Sequence, residues 1–255
     1  MIPKKIHFSA PTNQSKWPQL WLSCLESWER NFPDFEIKVW NDEEIEHFIK
    51  DNYPQYLTFC FSFPRHIMVI DFFRLCIMHK LGGIYSDMDV YCYKNFYDDL
   101  QDDLYVVGEQ NGALSNHLMV SEPNNQYWID CMEQSIQTYN QMTEEDKREF
   151  QIRDSEKIVK LILNITGPGL LTKTASLNKS NVNSLPWQIY NNNHLSYRPD
   201  YITKHMLTGI WGKEGIDSYG FSEFSANYHV ALNRSYKNFR KFDPEHSNFY
   251  RNYNK

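Results

Sequence analysis

DFFRLCIMHKLGGIYSDMDVY, residues 71–91, is the stretch whose reading decides the fold. A helix is predicted from about Arg65 to Leu81, and Gly82-Gly83 predicts its C-terminal cap. IYSDMDVY (84–91) then reads as a strand. On that reading Asp87 and Asp89, two apart, leave the same face. Two carboxylates on one face near a strand end can grip a hard divalent cation, Mn²⁺ or Mg²⁺, and leave open positions for phosphate oxygens. Buried strands rarely carry two charges unless something pairs them. On the preceding helix Asp71 and Arg74 are three apart and share a face. They read equally well as an intrahelical ion pair or as a cation for a diphosphate with a carboxylate for a sugar hydroxyl.

Outward from this segment the chain alternates strands and helices. Strands are predicted at 2–8, 35–40, 104–109, 117–122, 186–190 and 227–232. Trp17, Leu20, Trp21, Cys24, Leu25 and Trp28 make one apolar stripe at helical spacing, with Pro18 in the first turn. NDEEIEHFIKDN (41–52) opens on capping residues and reads as a helix. Helices are also predicted over 126–140 and 144–163. TGPG (166–169) breaks the chain and reads as a helix start; it lacks the Gly-Lys-Ser/Thr end of a P-loop. This alternation predicts an α/β layered architecture in a single domain over residues 1–255.

Composition excludes several classes. The 10 Gly and 11 Pro in 255 residues do not suit a collagen-like or disordered chain. The 26 Lys and Arg against 32 Asp and Glu give a net charge of −6, which argues against a nucleic-acid partner. No window has 18 uninterrupted apolar residues, so no membrane-spanning helix is expected. The N-terminus lacks the apolar run of a secretion signal, and the five cysteines include no Cys-x-x-Cys pair. Reduced thiols in a cytoplasmic protein are the expectation. The acidic run at 98–103 reads as a solvated loop. Residues 235–255 mix bases with Tyr236, Phe239 and Phe242. Such a segment can seat on an anionic membrane surface, or pack on the domain with its bases solvated; both readings stand.

The pattern DxxR…GGIYxDxDV resembles the DxD region of glycosyltransferase family 32. That grouping joins yeast-type α-mannosyltransferases, bacterial capsular polysaccharide transferases and the catalytic domains of large clostridial glucosylating toxins. IPKKIHF (2–8), Trp28 with FEIKVWND (35–42), SNHLMVSEPNN (115–125), TGPG (166–169) and HVALNRSY (229–236) resemble further family segments, in the family's order. The resemblance implies a GT-A fold, a Rossmann-like nucleotide-sugar-binding domain with additional helices. It implies metal and ribose–diphosphate contacts at Asp87 and Asp89, donor-sugar and diphosphate contacts at Asp71 and Arg74, a position near the sugar for Asn116, and a late metal or diphosphate ligand at His229. It also implies transfer with retention, from a nucleotide sugar with UDP as the favoured carrier, to a glycan or lipid-linked saccharide acceptor. Ala10 stands where the family often carries an aromatic residue against the base, which leaves Phe8 as the candidate for that role. Two alternatives remain from the residues alone: a Mg²⁺-dependent phosphatase using the DxD, and a carbohydrate-binding module without catalysis.

Overall fold

The computed structural model describes residues 1–150, 156–178, 181–191 and 199–206. The strand expected over 227–232, His229 and the basic–aromatic segment 235–255 lie outside the described residues.

Strands β1 (Lys5–Ser9), β2 (Glu36–Trp40), β3 (Gly83–Ser86), β5 (Leu104–Gly108), β6 (Leu114–Ser121) and β7 (Asn183–Leu185) form one sheet in the order β2-β1-β3-β6-β5-β7. β2, β1 and β3 run parallel, β6 is antiparallel to β3 and β5, and β7 is parallel to β5. β4 (Val90–Cys92) and β8 (Thr203–His205) make a separate antiparallel pair. The helices are α1 (Gln19–Asn31), α2 (Asp42–Asn52), α3 (Pro54–Cys60), α4 (His66–Leu81), α5 (Gln126–Asn140), α6 (Glu144–Glu149), α7 (Glu156–Ile165), α8 (Pro168–Asn178) and the single turn α9 (Trp187–Tyr190).

Two apolar clusters sandwich the sheet. One gathers α2, α4, α5, α7 and α8 around Phe72, Phe73, Trp128 and Leu171. The other packs α1 through Trp21, Trp28 and Phe32 against Ile6, Phe8, Ile84 and Val120. The tryptophan stripe is therefore core, as its spacing predicts, although the helix begins two residues after Trp17. All five cysteines are free and buried.

The middle of α4 lies wholly inside the protein: every residue from Met68 to Met78 is buried. Its exit needs both glycines. Gly82 and Gly83 have φ of 61° and 90°. A Cβ on Gly82 would stand 2.6 Å from the Pro123 nitrogen, and one on Gly83 2.5 Å from the Lys5 carbonyl. Only glycine lets the chain turn here and lie this close to its neighbours. α2 is capped as its sequence predicts, with Asn41 and Glu44 exchanging side-chain and backbone hydrogen bonds.

Two expectations need correction, and one helix lies outside them. The strand over 84–91 is not continuous: it breaks after Ser86, turns through Asp87–Asp89 and resumes as β4 beside a different partner. The segment 186–190 is not a strand, because Pro186, with φ −60°, starts the turn α9; the strand β7 precedes it. α3 was not expected, although Pro54 in its first turn is a recognised start signal. Among the described residues no helix is long and apolar enough to cross a membrane.

Candidate active site

Backbone geometry at the carboxyl end of β3 explains why the aspartates converge. The Asp87 N–H donates to the His117 carbonyl at 2.9 Å, extending the β3–β6 ladder by one step. The Val90 N–H then bonds back to the Asp87 carbonyl at 3.1 Å, closing a turn. Asp87 and Asp89 thus come together through this turn rather than through strand alternation. Beyond it the chain is fastened from two sides. The Trp28 indole donates to the Val90 carbonyl at 2.9 Å, and the Met206 N–H to the Asp89 carbonyl at 2.8 Å. The second bond belongs to the β4–β8 pairing, which sets His205 opposite Val90. His205 Nε2 stands 3.2 Å from Asp89 Oδ1.

α4 supplies the other half. Arg74 reaches Asp71 Oδ1 at 3.1 Å and Asp87 Oδ1 at 3.2 Å, and donates to the Asn116 carbonyl at 2.8 Å. Its guanidinium lies over the Tyr85 ring, 4.8 Å from the centroid, and the Tyr85 hydroxyl is bonded to Ser9 Oγ at 2.8 Å. The two readings of Asp71 and Arg74 are therefore not exclusive. They pair within the helix, and the same guanidinium bridges to the DxD turn. Asp71 is held further by the Asn116 side-chain amide at 2.9 Å and by Thr166 Oγ1 at 3.2 Å. Thr166 is the first residue of TGPG, so that segment reaches the site through a hydroxyl that sequence reading did not single out.

Burial and like charge strain the carboxylates. Desolvation raises Asp71 to about 6, against the opposing pull of Arg74, with Asp87 adding to the rise. Asp87 is raised by burial and by Asp89, while Arg74 and His205 pull it down. Burial disfavours the charge on Arg74, but Asp87, Tyr85, Asp71 and Asp89 more than offset it, so its proton is held more tightly than usual. Burial likewise lowers His205, but Asp89, Asp87 and Glu109 together outweigh it and the net shift is upward. Three carboxylates face one guanidinium, a cluster short of positive charge.

That shortage bears on the metal. Asp87, Asp89 and His205 each offer one ligand atom, and these atoms lie within 4.8 Å of one another. Two carboxylate oxygens and an imidazole nitrogen suit a divalent ion such as Mn²⁺, and a cation there would relieve the repulsion that raises Asp87. The donor set fits. His205 was not anticipated: β8 is far along the chain, and only non-local strand pairing brings it to the turn. Of the expected residues, Asp71, Arg74, Asp87, Asp89 and Asn116 meet here. Phe8 does not. It is fully buried, edge-on to Trp28 with centroids 6.0 Å apart, and has no face for a base. Ala10 is buried as well. His229 lies outside the described residues.

A layered mixed sheet with an acidic turn at the carboxyl end of a central strand defines a GT-A-type glycosyltransferase fold. A ligand-free glycosyltransferase domain from the YGT toxin superposes with a TM-score of 0.54 at 10% identity, over 72% of this chain and 80% of that one. Residues 18–107 match the family described as the glycosyltransferase sugar-binding region containing the DXD motif. Inositol phosphoceramide mannosyltransferase 3 of Schizosaccharomyces pombe is 36% identical over 118 residues, 46% of this chain and 33% of that protein. Mannosyl phosphorylinositol ceramide synthase CSH1 of Saccharomyces cerevisiae is 30% identical over 129 residues, 51% and 34% of the two chains. The matched region is about a third of the length of these relatives.

Proposed function

We propose that the protein is a metal-dependent, retaining glycosyltransferase that moves a hexosyl group from a nucleoside diphosphate sugar to a saccharide or lipid-linked saccharide. The observation that carries this reading is the bridging of Arg74 between Asp71 and Asp87, directly beside the Asp89–His205 pair. It places a fixed positive charge next to a donor set suited to a divalent ion, which is what a departing diphosphate requires.

In the proposed reaction the glycosidic bond to the diphosphate breaks and negative charge develops on the leaving oxygen. Arg74 is preorganised by two carboxylates, a backbone carbonyl and the Tyr85 ring, so it stabilises that charge without a proton transfer and without reorganising. Asp87, Asp89 and His205 would hold the cation, which when bound supplies Lewis-acid stabilisation to the diphosphate oxygens. Asp71, gripped by Asn116 and Thr166, has acceptor capacity left for a sugar hydroxyl. Retention rests on the family resemblance, and an α-linked donor would give an α-linked product. The names of the yeast relatives favour mannose as the sugar and a lipid-borne acceptor for first trial. A cytoplasmic location, with 235–255 against an anionic membrane, belongs to the same proposal; binding to anionic but not neutral liposomes is the expected result.

A panel of UDP- and GDP-linked hexoses, assayed with Mn²⁺ or EDTA, tests the reading. One donor should be turned over only with metal, and NMR of the first product should show the donor's anomeric configuration. Release of inorganic phosphate from simple phosphomonoesters, with no nucleotide sugar consumed, would favour the phosphatase alternative.

A further inference from the structure

Beyond the carboxylates and His205, one buried side chain touches the same centre with no assigned task. His117, in β6, is 1% exposed. Its ring stacks on that of His205, with centroids 4.3 Å apart and planes 23° from parallel. Its Nδ1 is bonded to Ser115 Oγ at 2.8 Å, which fixes the ring's rotation. Its Nε2 is buried with no hydrogen-bond partner among the described residues. Meanwhile the His117 carbonyl accepts the Asp87 N–H. One residue of β6 therefore anchors Asp87 through its backbone and backs His205 with its ring.

We propose that His117 is a positioning residue for the metal site: its imidazole, locked by Ser115, is the platform that keeps His205 aligned with Asp89. This rests on the reading of Asp87, Asp89 and His205 as metal ligands. His205 sits at the end of a three-residue strand whose sheet, among the described residues, has two strands. Its backbone alone gives it little rigidity, because two-stranded pairs are marginal. β6 is the opposite case, an eight-residue strand buried along its whole length and paired with β3 and β5, with His117 in a bulge of the β5 ladder but bonded to Asp87 on the β3 side. The stack transfers order from the firm strand to the weak one. Residues that orient a metal ligand typically change metal affinity 10–100-fold when removed.

The test is Mn²⁺ binding to the full chain without donor, followed by calorimetry and by the electron paramagnetic resonance line shape of the bound ion. His117→Ala should weaken Mn²⁺ at least about tenfold and broaden the spectrum. His117→Phe keeps the ring and should restore most of the affinity and the narrower spectrum. Ser115→Ala should fall between wild type and His117→Ala. His205→Ala serves as the control for the underlying reading. If it leaves Mn²⁺ binding unchanged, the ligand assignment itself fails. If His205→Ala weakens binding and His117→Ala does not, the platform is refuted and the ligand set stands. If His117→Phe binds as poorly as His117→Ala, the imidazole nitrogen rather than the stack is what matters, and the platform is again refuted.

Discussion

Two charge clusters in this molecule look alike on paper and differ in every physical respect. Around α6 and α7, Lys157 lies within 4 Å of Glu145, Asp146 and Glu149, each ion pair reaching solvent. Around α4 and the DxD turn, Arg74 meets Asp71 and Asp87 with its own side chain 4% exposed. Water screens the first cluster, and its geometry is one of many available to long side chains. The second is largely shielded from water, with only the Asp87 side chain part exposed. Its members are held by Asn116, Thr166, Tyr85 and backbone groups, and two of its carboxyls are driven upward. Burying charge at that cost is weak evidence for stability. Its natural explanation is function: an electrostatic arrangement that must already be in place when charge develops on a leaving group.

The largest effect expected from breaking the buried cluster is on turnover. Asp89→Asn removes a ligand and should lower transfer on the order of 100-fold or more, by analogy with the loss of other preorganised electrostatic groups. Its melting temperature should stay close to wild type, because one of two adjacent like charges has been removed. Near-normal turnover in Mn²⁺ would rule out Asp89 as a ligand. Next comes stability. Arg74→Ala leaves Asp71 and Asp87 without their cation and should cost about 3–5 kcal/mol in urea denaturation. A loss below about 1 kcal/mol would mean the cluster behaves like a surface pair.

His7 sharpens the contrast through pH. It is a buried residue of β1, with Nε2 3.1 Å from the Gly82 carbonyl, and burial lowers it to about 4. Between pH 6.5 and 4 the unfolded chain binds a proton at His7 that the folded chain does not. His7 therefore contributes stability above pH 6.5 that is lost as the pH falls, by roughly 3 kcal/mol near pH 4. Asp71 opposes it: its carboxyl binds a proton at about 6 when folded, so acidification favours the fold there. His7→Gln removes only the first effect. Its stability deficit relative to wild type should shrink by roughly 3 kcal/mol from pH 7 to pH 4. A deficit constant with pH would show that His7 does not titrate as its burial implies. At the small end, Lys157→Ala should leave the denaturation midpoint unchanged within error, since exposed pairs contribute little.

Local patterns made much of this legible in the sequence. α4 and its glycine stop, the capped α2, the tryptophan face of α1 and the strands β1, β2, β5 and β6 are each encoded by neighbours a few residues apart. So were Asp71, Arg74, Asp87 and Asp89, because their spacing sits inside those patterns. What escaped is what the chain assembles at a distance. The DxD turn breaks the apparent strand because Val90 leaves the main sheet to join β8, and β8 is also what delivers His205. His117 is legible only as the first residue of a predicted strand. Phe8 is a candidate for base stacking only through the resemblance and Ala10, because burial is not legible in sequence; in the fold its ring is spent on Trp28.

The most direct test of the buried cluster as a diphosphate and metal site is calorimetric titration of UDP and GDP into the wild-type protein, with Mn²⁺, with EDTA, and with Asp89→Asn. The account predicts that at least one nucleotide binds with Mn²⁺, and that its affinity falls at least about tenfold both on chelation and in the variant. Nucleotide binding equally tight with EDTA and in Asp89→Asn would contradict it, because the diphosphate would then be held somewhere other than the turn that Arg74, Asp87 and Asp89 share.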